Sequence, residues 1–392
     1  MLAAIMRPEE ELYWLALTLV PGLGTRRAGR LLQKFGSPQA LLQASRSELE
    51  AAGIDSGLAQ SVASGCSFED AATQQEKMKA AGAVAVTMSD PRYPPLLREV
   101  YDPPIVLFAR GRVELLQGFM LGIVGTRRPT PYGMAVAERL GRELGEAGLT
   151  IVSGMARGID TAAHTGALDT EAGTVAVLGC GADIVYPSEN RRLASRIAEK
   201  GLILSEFPMG SVAFPQNFPI RNRIISGMST GTLVVEGAQY SGSAITAKLA
   251  MDQGREVLAV PGNITSKASW GPNLLIKQGA KLVQEWQDVI TELPVEVRSQ
   301  LIEKGRQRIL GAMESGGTAQ NESSGTPSTE DPNAETARRI LAALKFDESI
   351  HLDKLLETVD GCSPSELIAA LFDLEMRGMV RQLPGKNFVK VW

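Results

Sequence analysis

The sequence predicts an α/β protein with a doubly wound parallel sheet as its core, a small helical domain before it and a winged helix after it. Three observations support this prediction. Six short apolar runs alternate with helical segments between residues 85 and 290. Residues 10–65 show only helical periodicity. A stretch rich in Gly, Ser and Thr then separates the core from a terminal segment patterned as three helices and a hairpin.

These changes of pattern divide the 392 residues into four segments. We expect a helical domain over residues 1–67, the α/β core over 68–311, a flexible linker over 312–333 and the winged helix over 334–392. The formal net charge of -4 argues against a uniformly basic surface that coats nucleic acid, although it permits a local basic groove.

The chain shows no sign of membrane or metal chemistry at the sequence level. Its apolar runs are shorter than the roughly 18 residues that span a bilayer, and no secretory leader is apparent, so we expect a cytoplasmic protein without a membrane partner. Cys66, Cys180 and Cys362 lie in distant segments without a histidine at metal spacing, which disfavours zinc and disulfides.

The helical domain contains the sequence VPGLG at residues 20–24. A Gly-x-Gly turn between two short helices is typical of a helix-hairpin-helix, whose backbone N–H groups point at a phosphate. Arg26, Arg27 and Arg30 on the following helix could reinforce such a contact. A small helical bundle with glycine caps explains the pattern equally well, so both interpretations stay open.

The core strands are predicted from near-continuous apolar runs, which are typical of parallel strands buried on both faces. In chain order these runs are LGIVGT, LTIVSG, TVAVLG, LILSEF, TLVVEG and EVLAVPG, and two earlier runs, AVAVT and IVLFARG, could form flanking strands.

The first core strand leads into the sequence LGIVGTRRPTPYG, residues 121–133, which reads as strand, turn and helix. Such a turn lies at the carboxyl end of the sheet, where free N–H groups and a helix amino terminus attract anions. Thr126 and Arg127 are therefore candidate contacts for an anion. The alternative is an ordinary turn whose two arginines are simply solvated.

Later turns carry similar residue types and are expected at the same edge of the sheet. The further candidate contacts are Ser153, Gly154 and Arg157 after the second strand, Phe218, Arg221, Asn222 and Arg223 after the fourth, and Ser241 and Ser243 after the fifth. Arginines interleaved with aromatic rings suit a single nucleic-acid strand, because guanidinium groups pair with phosphates and a ring stacks on a base. The alternative is that the phenylalanines are core and the arginines pair with Glu206 and Glu236.

Catalytic patterns are weak in this chain. A GxGxxG fingerprint does not follow the first strand, which disfavours NAD, and a Walker A sequence is absent. Asp160 is expected as the N-cap of the helix after the second strand, and His164 one turn later is expected to be structural, because no nucleophile accompanies it. We therefore predict no catalytic residue, metal or cofactor.

The terminal segment has the layout of a winged helix. Ser363 is expected to cap its third helix, and Pro384-Gly385 to form the turn of its hairpin. Such domains bind DNA or other proteins, and the modest charge here does not choose between these roles.

Together the motifs resemble those of the DprA/Smf family of DNA-processing proteins. VGTRRPTPYG, SGMARGIDTAAH, LGCGADIVYP, FPIRNRIISG, VVEGAQYSGSAITA and AVPGNI with GPNLLIKQGA occur in that family's order. The resemblance implies an extended Rossmann-like core that binds and protects single-stranded DNA, without enzymatic activity, and helps to load the recombinase RecA during natural transformation. It also implies that the helical domain, of helix-hairpin-helix or SAM-like type, and the winged helix are appendages seen in many members.

The resemblance assigns roles to several residues by motif. It places Arg127, Phe218, Arg221 and Arg223 on the DNA-binding surface, whereas Ile220 stands where some members have a lysine.

A homodimer is expected from three adjacent apolar residues, Leu274, Leu275 and Ile276. They cannot all face one core from a single helix, so at least one should be free for a partner, and the resemblance implies a dimer of cores.

Two other functions remain possible besides the binding of single-stranded DNA, which is the first possibility. The second possibility is an enzyme. Related Rossmann-like cores hydrolyse the N-glycosidic bond of nucleoside monophosphates through a PGGxGT turn followed by a glutamate, but the corresponding turn here reads SGSAIT. The third possibility is a scaffold whose core merely positions the two small domains.

Overall fold

The computed structural model describes residues 7–239 and 241–303, and within the terminal segment residues 332–344, 350–359, 363, 366–368, 370–371, 374, 379–383 and 387–390. The chain divides into two compact units, Met1–Ser315 and Gly316–Trp392. Among the described residues, we find no helix long and apolar enough to cross a bilayer.

The first unit is built on a nine-stranded sheet with the order β1-β2-β6-β5-β4-β3-β7-β8-β9. Its strands are β1 (Val84–Thr87), β2 (Val106–Gly111), β3 (Met120–Val124), β4 (Thr150–Ser153), β5 (Thr174–Val177), β6 (Leu202–Ser205), β7 (Gly231–Val234), β8 (Glu256–Ala259) and β9 (Lys281–Leu282). The seven strands from β3 to β9 are mutually parallel, whereas β1 and β2 are antiparallel at one edge. The six core strands and the two flanking strands predicted from the sequence are confirmed, and β9 was not predicted.

The sheet is doubly wound, as predicted. From β3 the chain moves through β4 and β5 to β6 in one direction, then returns to β7 and continues through β8 to β9 in the other. The winding therefore reverses between β3 and β7, and every turn that follows a parallel strand lies at one edge of the sheet.

Helices precede the sheet and cover both of its faces. Those of the first unit are α1 (Pro8–Leu19), α2 (Thr25–Phe35), α3 (Pro38–Gln43), α4 (Arg46–Ala51), α5 (Ser56–Ala63), α6 (Phe68–Ala81), α7 (Pro95–Arg98), α8 (Pro131–Glu146), α9 (Ile159–Ala167), α10 (Arg191–Lys200), α11 (Asn217–Met228), α12 (Gly242–Asp252), α13 (Trp270–Lys277), α14 (Trp286–Glu292) and α15 (295–303).

Alternate residues of the strands supply the two faces. Ile203 of β6 belongs to a hydrophobic cluster with α10 and the amino-terminal helices, whereas its neighbours Leu202 and Leu204 belong to a cluster with α11 and α12. The first cluster runs without a break from Leu15 of α1 to Phe108 of β2, so the amino-terminal helices and the sheet share one core.

The turn between α1 and α2 has the expected form. Gly22 adopts a φ of 80°, which favours glycine, and Gly24 precedes the first residue of α2. The Arg26 guanidinium lies 4.1 Å from the centre of the Tyr101 ring, while Arg27 is exposed. Both interpretations of this turn remain compatible with its geometry.

The second unit has the winged-helix layout. It contains α16 (Pro332–Ala343), α17 (Leu352–Thr358) and a three-stranded antiparallel sheet with the order β10-β12-β11, formed by β10 (Ile350–His351), β11 (Val380–Leu383) and β12 (Asn387–Lys390). Ser363 caps the third helix of this unit as predicted, because its hydroxyl accepts the Glu366 N–H at 3.3 Å. Cys362 and the Pro384-Gly385 turn lie outside the described residues, as does the predicted linker before residue 332.

Candidate nucleic-acid interface

A groove lies at the carboxyl edge of β3, β4 and β5. Its walls come from the loops after these strands and from the first turns of α11, and they comprise Arg127, Gly154, Ala156, Arg157, Tyr186, Pro187, Phe218 and Arg221. The space in which the centre of a water molecule can move within the groove is about 30 Å³, so the groove is small.

Arg221 forms the floor of the groove. The residue is 4% exposed, and its Nη1 donates to the Gly154 carbonyl at 2.7 Å and to the Val177 carbonyl. Burial lowers the pKa of Arg221 to about 10, so the guanidinium is still charged at neutral pH. Gly154 is required here, because a Cβ at that position would lie 2.3 Å from Arg221 Nη1.

The loop after β4 is closed by the carboxylate of Asp160. Its Oδ2 accepts the N–H groups of Gly154 and Ala156, each at 3.2 Å. Burial raises the pKa of Asp160, opposed by the charge of Arg221 and by these two N–H groups. Asp160 was predicted as the N-cap of α9, but the cap is Gly158 and the side chain reaches back into the loop. The N–H groups that were expected to receive an external anion are therefore already satisfied.

His164 holds the middle of the same loop. Its Nε2 accepts the N–H of Met155 at 3.2 Å, and its Nδ1 lies 2.7 Å from the hydroxyl of Thr174. Because that hydroxyl donates to the Ile151 carbonyl, Nδ1 must carry the proton. Burial lowers the pKa of His164 to about 3, so the ring is neutral and structural, as predicted. It supports Met155, whose φ of 52° is unusual for a side chain with a Cβ.

The amino terminus of α8 is closed in a similar way. Thr130 caps the helix by accepting the Gly133 N–H, and both its N–H and its hydroxyl donate to the Glu236 carboxylate, at 2.9 and 2.6 Å. A Cβ at Gly133 would lie 2.3 Å from Glu236 Oε2, so this carboxylate sits directly against the first turn. A carboxylate of the chain therefore occupies the helix end at which a phosphate was expected.

The exposed wall of the groove combines one guanidinium with two aromatic rings. Arg127 is exposed, and its guanidinium carbon lies 5.3 Å from the centre of the Phe218 ring. The Tyr186 ring lies 5.4 Å from Phe218 at an interplanar angle of 30°. The guanidinium of Arg127 is therefore presented at the surface beside an aromatic ring.

Arg157 stands on the rim of the groove and is 62% exposed at its side chain. It forms an ion pair of 2.8 Å with Glu189, which is similarly exposed. The hydrogen bond between them raises the pKa of Arg157 and lowers the pKa of Glu189. An exposed pair of this kind is weak and easily exchanged for another anion.

The structure places Arg223 apart from the groove. Its Nε donates to Asp102 at 2.9 Å and its Nη2 to Glu206 at 2.6 Å, with the arginine side chain only 8% exposed. Burial raises the pKa of Glu206 in spite of this contact. Arg223 therefore follows the sequence alternative in which an arginine pairs with Glu206.

The remaining predicted contacts are mostly engaged within the protein. The Ser153 hydroxyl donates to Ile123 O at 2.6 Å, the Thr126 N–H donates to Glu236 O at 2.7 Å, and Asn222 Oδ1 accepts from Arg221 Nε. The hydroxyls of Ser241 and Ser243 lie 2.7 Å apart at the start of α12, beyond β7 and outside the lining of the groove.

The predicted dimer residues lie on α13 and differ in exposure. Leu275 is 8% exposed and belongs to the core, while Leu274 and Ile276 are half-buried. Of the three, Leu274 and Ile276 are those with surface to offer a partner.

Sequence reasoning missed three residues that line the groove, Tyr186, Pro187 and Ala156, and it also missed Glu189, which pairs with Arg157 on the rim. A signal for the first was present, because an aromatic residue beside a proline in a strand-to-helix loop is often exposed. The pairing of Glu189 with Arg157 joins two separate loops and has no local signature. Among the described residues, we find no cluster of His, Cys, Asp or Glu that could hold a metal ion.

Comparisons with known proteins identify relatives of both units. A family described as DNA recombination-mediator protein A matches residues 84–294, and the DprA winged helix domain matches residues 324–386. DNA processing protein DprA of Bacillus subtilis is 45% identical over 54% of this chain and 72% of its own length. Protein Smf of Synechocystis is 34% identical over 98% of this chain and 99% of its own. The X-ray structure of DNA processing protein A from Streptococcus pneumoniae superposes with a TM-score of 0.65 at 35% identity, covering 74% of this chain and 99% of that one.

Proposed function

Because this chain belongs to the DprA/Smf family of DNA-processing proteins, we propose that it binds single-stranded DNA independently of base sequence, protects it, and mediates recombination by loading RecA onto incoming DNA during natural transformation. It acts as a binding protein, not as an enzyme. We further propose that it works in the cytoplasm as a homodimer that uses Leu274 and Ile276.

One observation carries the proposal of strand binding. The groove is open and presents exposed Arg127 and Arg157 beside the Tyr186–Phe218 ring pair, above the buried charge of Arg221. Guanidinium groups contact phosphates, and rings stack on bases of any identity, so this combination suits a strand that passes along the surface.

The same geometry disfavours the hydrolysis of nucleoside monophosphates. Glu236 occupies the amino terminus of α8, and Asp160 accepts the N–H groups of Gly154 and Ala156, so a mononucleotide phosphate finds neither position open. Purified protein incubated with nucleoside monophosphates should release no ribose 5-phosphate above a control without protein. Release with turnover would replace the binding proposal.

Titration with oligonucleotides tests strand binding directly. Single- and double-stranded oligonucleotides of one sequence are titrated at several salt concentrations, and we expect preference for the single strand with an affinity that falls as salt rises. Arg127→Ala should weaken binding. Arg142→Ala, which removes the same charge from the exposed surface of α8, should not. Equal loss in both variants would indicate only nonspecific attraction.

RecA loading and dimerisation need separate tests. Mediator activity is measured as the rate of RecA filament formation on a single strand covered with single-strand-binding protein, with and without this protein. Sedimentation of Leu274→Glu and Ile276→Glu tests the dimer. Leu275→Glu is unsuitable because this leucine is core.

The scaffold alternative is tested with point variants and not with deletions. Deleting the amino-terminal helices would expose the hydrophobic cluster that they share with the sheet, and loss of binding would then be ambiguous. Retained RecA loading by an Arg127→Ala variant that no longer binds DNA would favour the scaffold.

A further inference from the structure

Tyr186 is the more accessible of the two rings in the groove. It is 45% exposed, whereas Phe218 is half-buried and contacts both Arg127 and Tyr186. The edge of Phe218 also packs against the backbone of Gly179, since a Cβ there would lie 2.9 Å from Phe218 Cδ1. Phe218 is thus in contact on several sides, and Tyr186 has the ring surface that a base could cover.

The loop that carries Tyr186 is fixed at both ends. Before the ring, Asp183 Oδ1 accepts the N–H of Gly210 at 2.8 Å. After it, the Asn190 side chain donates to the Met155 carbonyl and to the Thr161 hydroxyl, each at 2.9 Å. A ring on a fixed loop loses little freedom when a base stacks on it.

Two charged side chains share the groove with the Tyr186 ring. Arg127 and Arg157 line the groove together with Tyr186, and both guanidinium groups are exposed. A nucleotide whose phosphate contacts one of these arginines can therefore bring its base to the Tyr186 ring without leaving the groove.

We infer that Tyr186 is the base-stacking platform of this groove and that Phe218 supports it from behind, a role that rests on the proposed binding of single-stranded DNA. The phenol ring acts through its face, so the hydroxyl is dispensable. Phe218, in turn, is needed for its volume and not for its aromatic face.

The test compares an oligo-dT strand with an abasic strand of the same length, which keeps the phosphates and lacks the bases. Tyr186→Ala and Tyr186→Leu should weaken binding of oligo-dT by between about 5-fold and about 150-fold, the range for losing one base stack. Neither should change the affinity for the abasic strand. Tyr186→Phe should retain most of the affinity for oligo-dT, and Phe218→Leu should lose less of it than Tyr186→Leu does. Tyr101→Ala, which removes another exposed tyrosine contacted by an arginine, serves as the matched control.

The outcomes separate this inference from the proposed function. Wild-type protein that binds neither strand would overturn the proposed function. If the wild type binds oligo-dT and both Tyr186→Ala and Tyr186→Leu bind it with the same affinity as the wild type, only the role of Tyr186 is overturned. A loss in Phe218→Leu as large as that in Tyr186→Leu would make Phe218 the platform instead. Thermal melting of each variant excludes unfolding as the cause.

Discussion

The neutral imidazole of His164 predicts a fold that loses stability in acid. Burial lowers the pKa of this ring to about 3, whereas the pKa in the unfolded chain is the ordinary 6.5. Between these two values the unfolded chain binds a proton that the folded protein does not. Stability from this group is therefore fully present above pH 6.5 and is lost as the pH falls.

The magnitude follows from the separation of the two pKa values. Each pH unit within this window costs 1.36 kcal/mol of folding free energy, so acidification from pH 6.5 to 5 should remove roughly 2 kcal/mol. Asp160 acts in the opposite direction, because its raised pKa lets the folded state bind a proton first. A comparison of the wild type with a variant that lacks the imidazole isolates the histidine.

Urea unfolding at a series of pH values measures the effect. His164→Gln keeps an acceptor for the Met155 N–H but cannot titrate, so it should be less stable at pH 7 and lose far less stability than the wild type between pH 6.5 and 5. The second histidine, His351, belongs to the other compact unit and remains in both proteins. Equal slopes in the two proteins would refute the assignment of a neutral, buried His164.

Three further predictions concern the groove and its surroundings. Arg127→Ala should lower the salt slope of single-strand binding by roughly 0.7, and Arg127→Lys should restore only part of the affinity, as measured by titration at several salt concentrations; an unchanged slope would remove Arg127 from the phosphate path. Glu189→Gln should raise the affinity for a single strand modestly, most visibly at low salt, because it frees Arg157 from its ion pair. Weaker binding by this variant would contradict a contact between Arg157 and the strand. Arg223→Met should destabilise the fold by roughly 3 kcal/mol because Glu206 is left buried and unpaired, while the affinity of the folded protein stays the same; a stable variant that binds poorly would return Arg223 to the DNA surface.

Much of the fold could be predicted because its strands are short, apolar and buried on both faces. The run LILSEF reads as a strand from its residues alone, and β6 occupies its first four. β9 escaped because it contains only Lys281 and Leu282, both exposed, and forms by pairing with β8. A two-residue strand has no pattern of its own.

The site was less predictable from the sequence. Which residues line it depends on the direction in which each helical side chain points and on contacts between residues that are far apart in the chain. Arg221 and Arg223 look equivalent in sequence, yet two residues of a helix point about 200° apart, so one enters the groove and the other meets Glu206. The turn after β3 looked receptive to an anion, but Glu236 fills it from 106 residues away along the chain. Neither result could be predicted from the local sequence.

The carboxylates of Asp160 and Glu236 have a consequence for the selectivity of the proposed function. An uncapped helix amino terminus attracts phosphates, including those of free nucleotides such as ATP. In this chain Glu236 occupies the amino terminus of α8, and Asp160 occupies the N–H groups of the loop after β4. Under the proposed function, small phosphates would therefore bind weakly at these two positions, and a single strand would gain its affinity from repeated contacts along the groove.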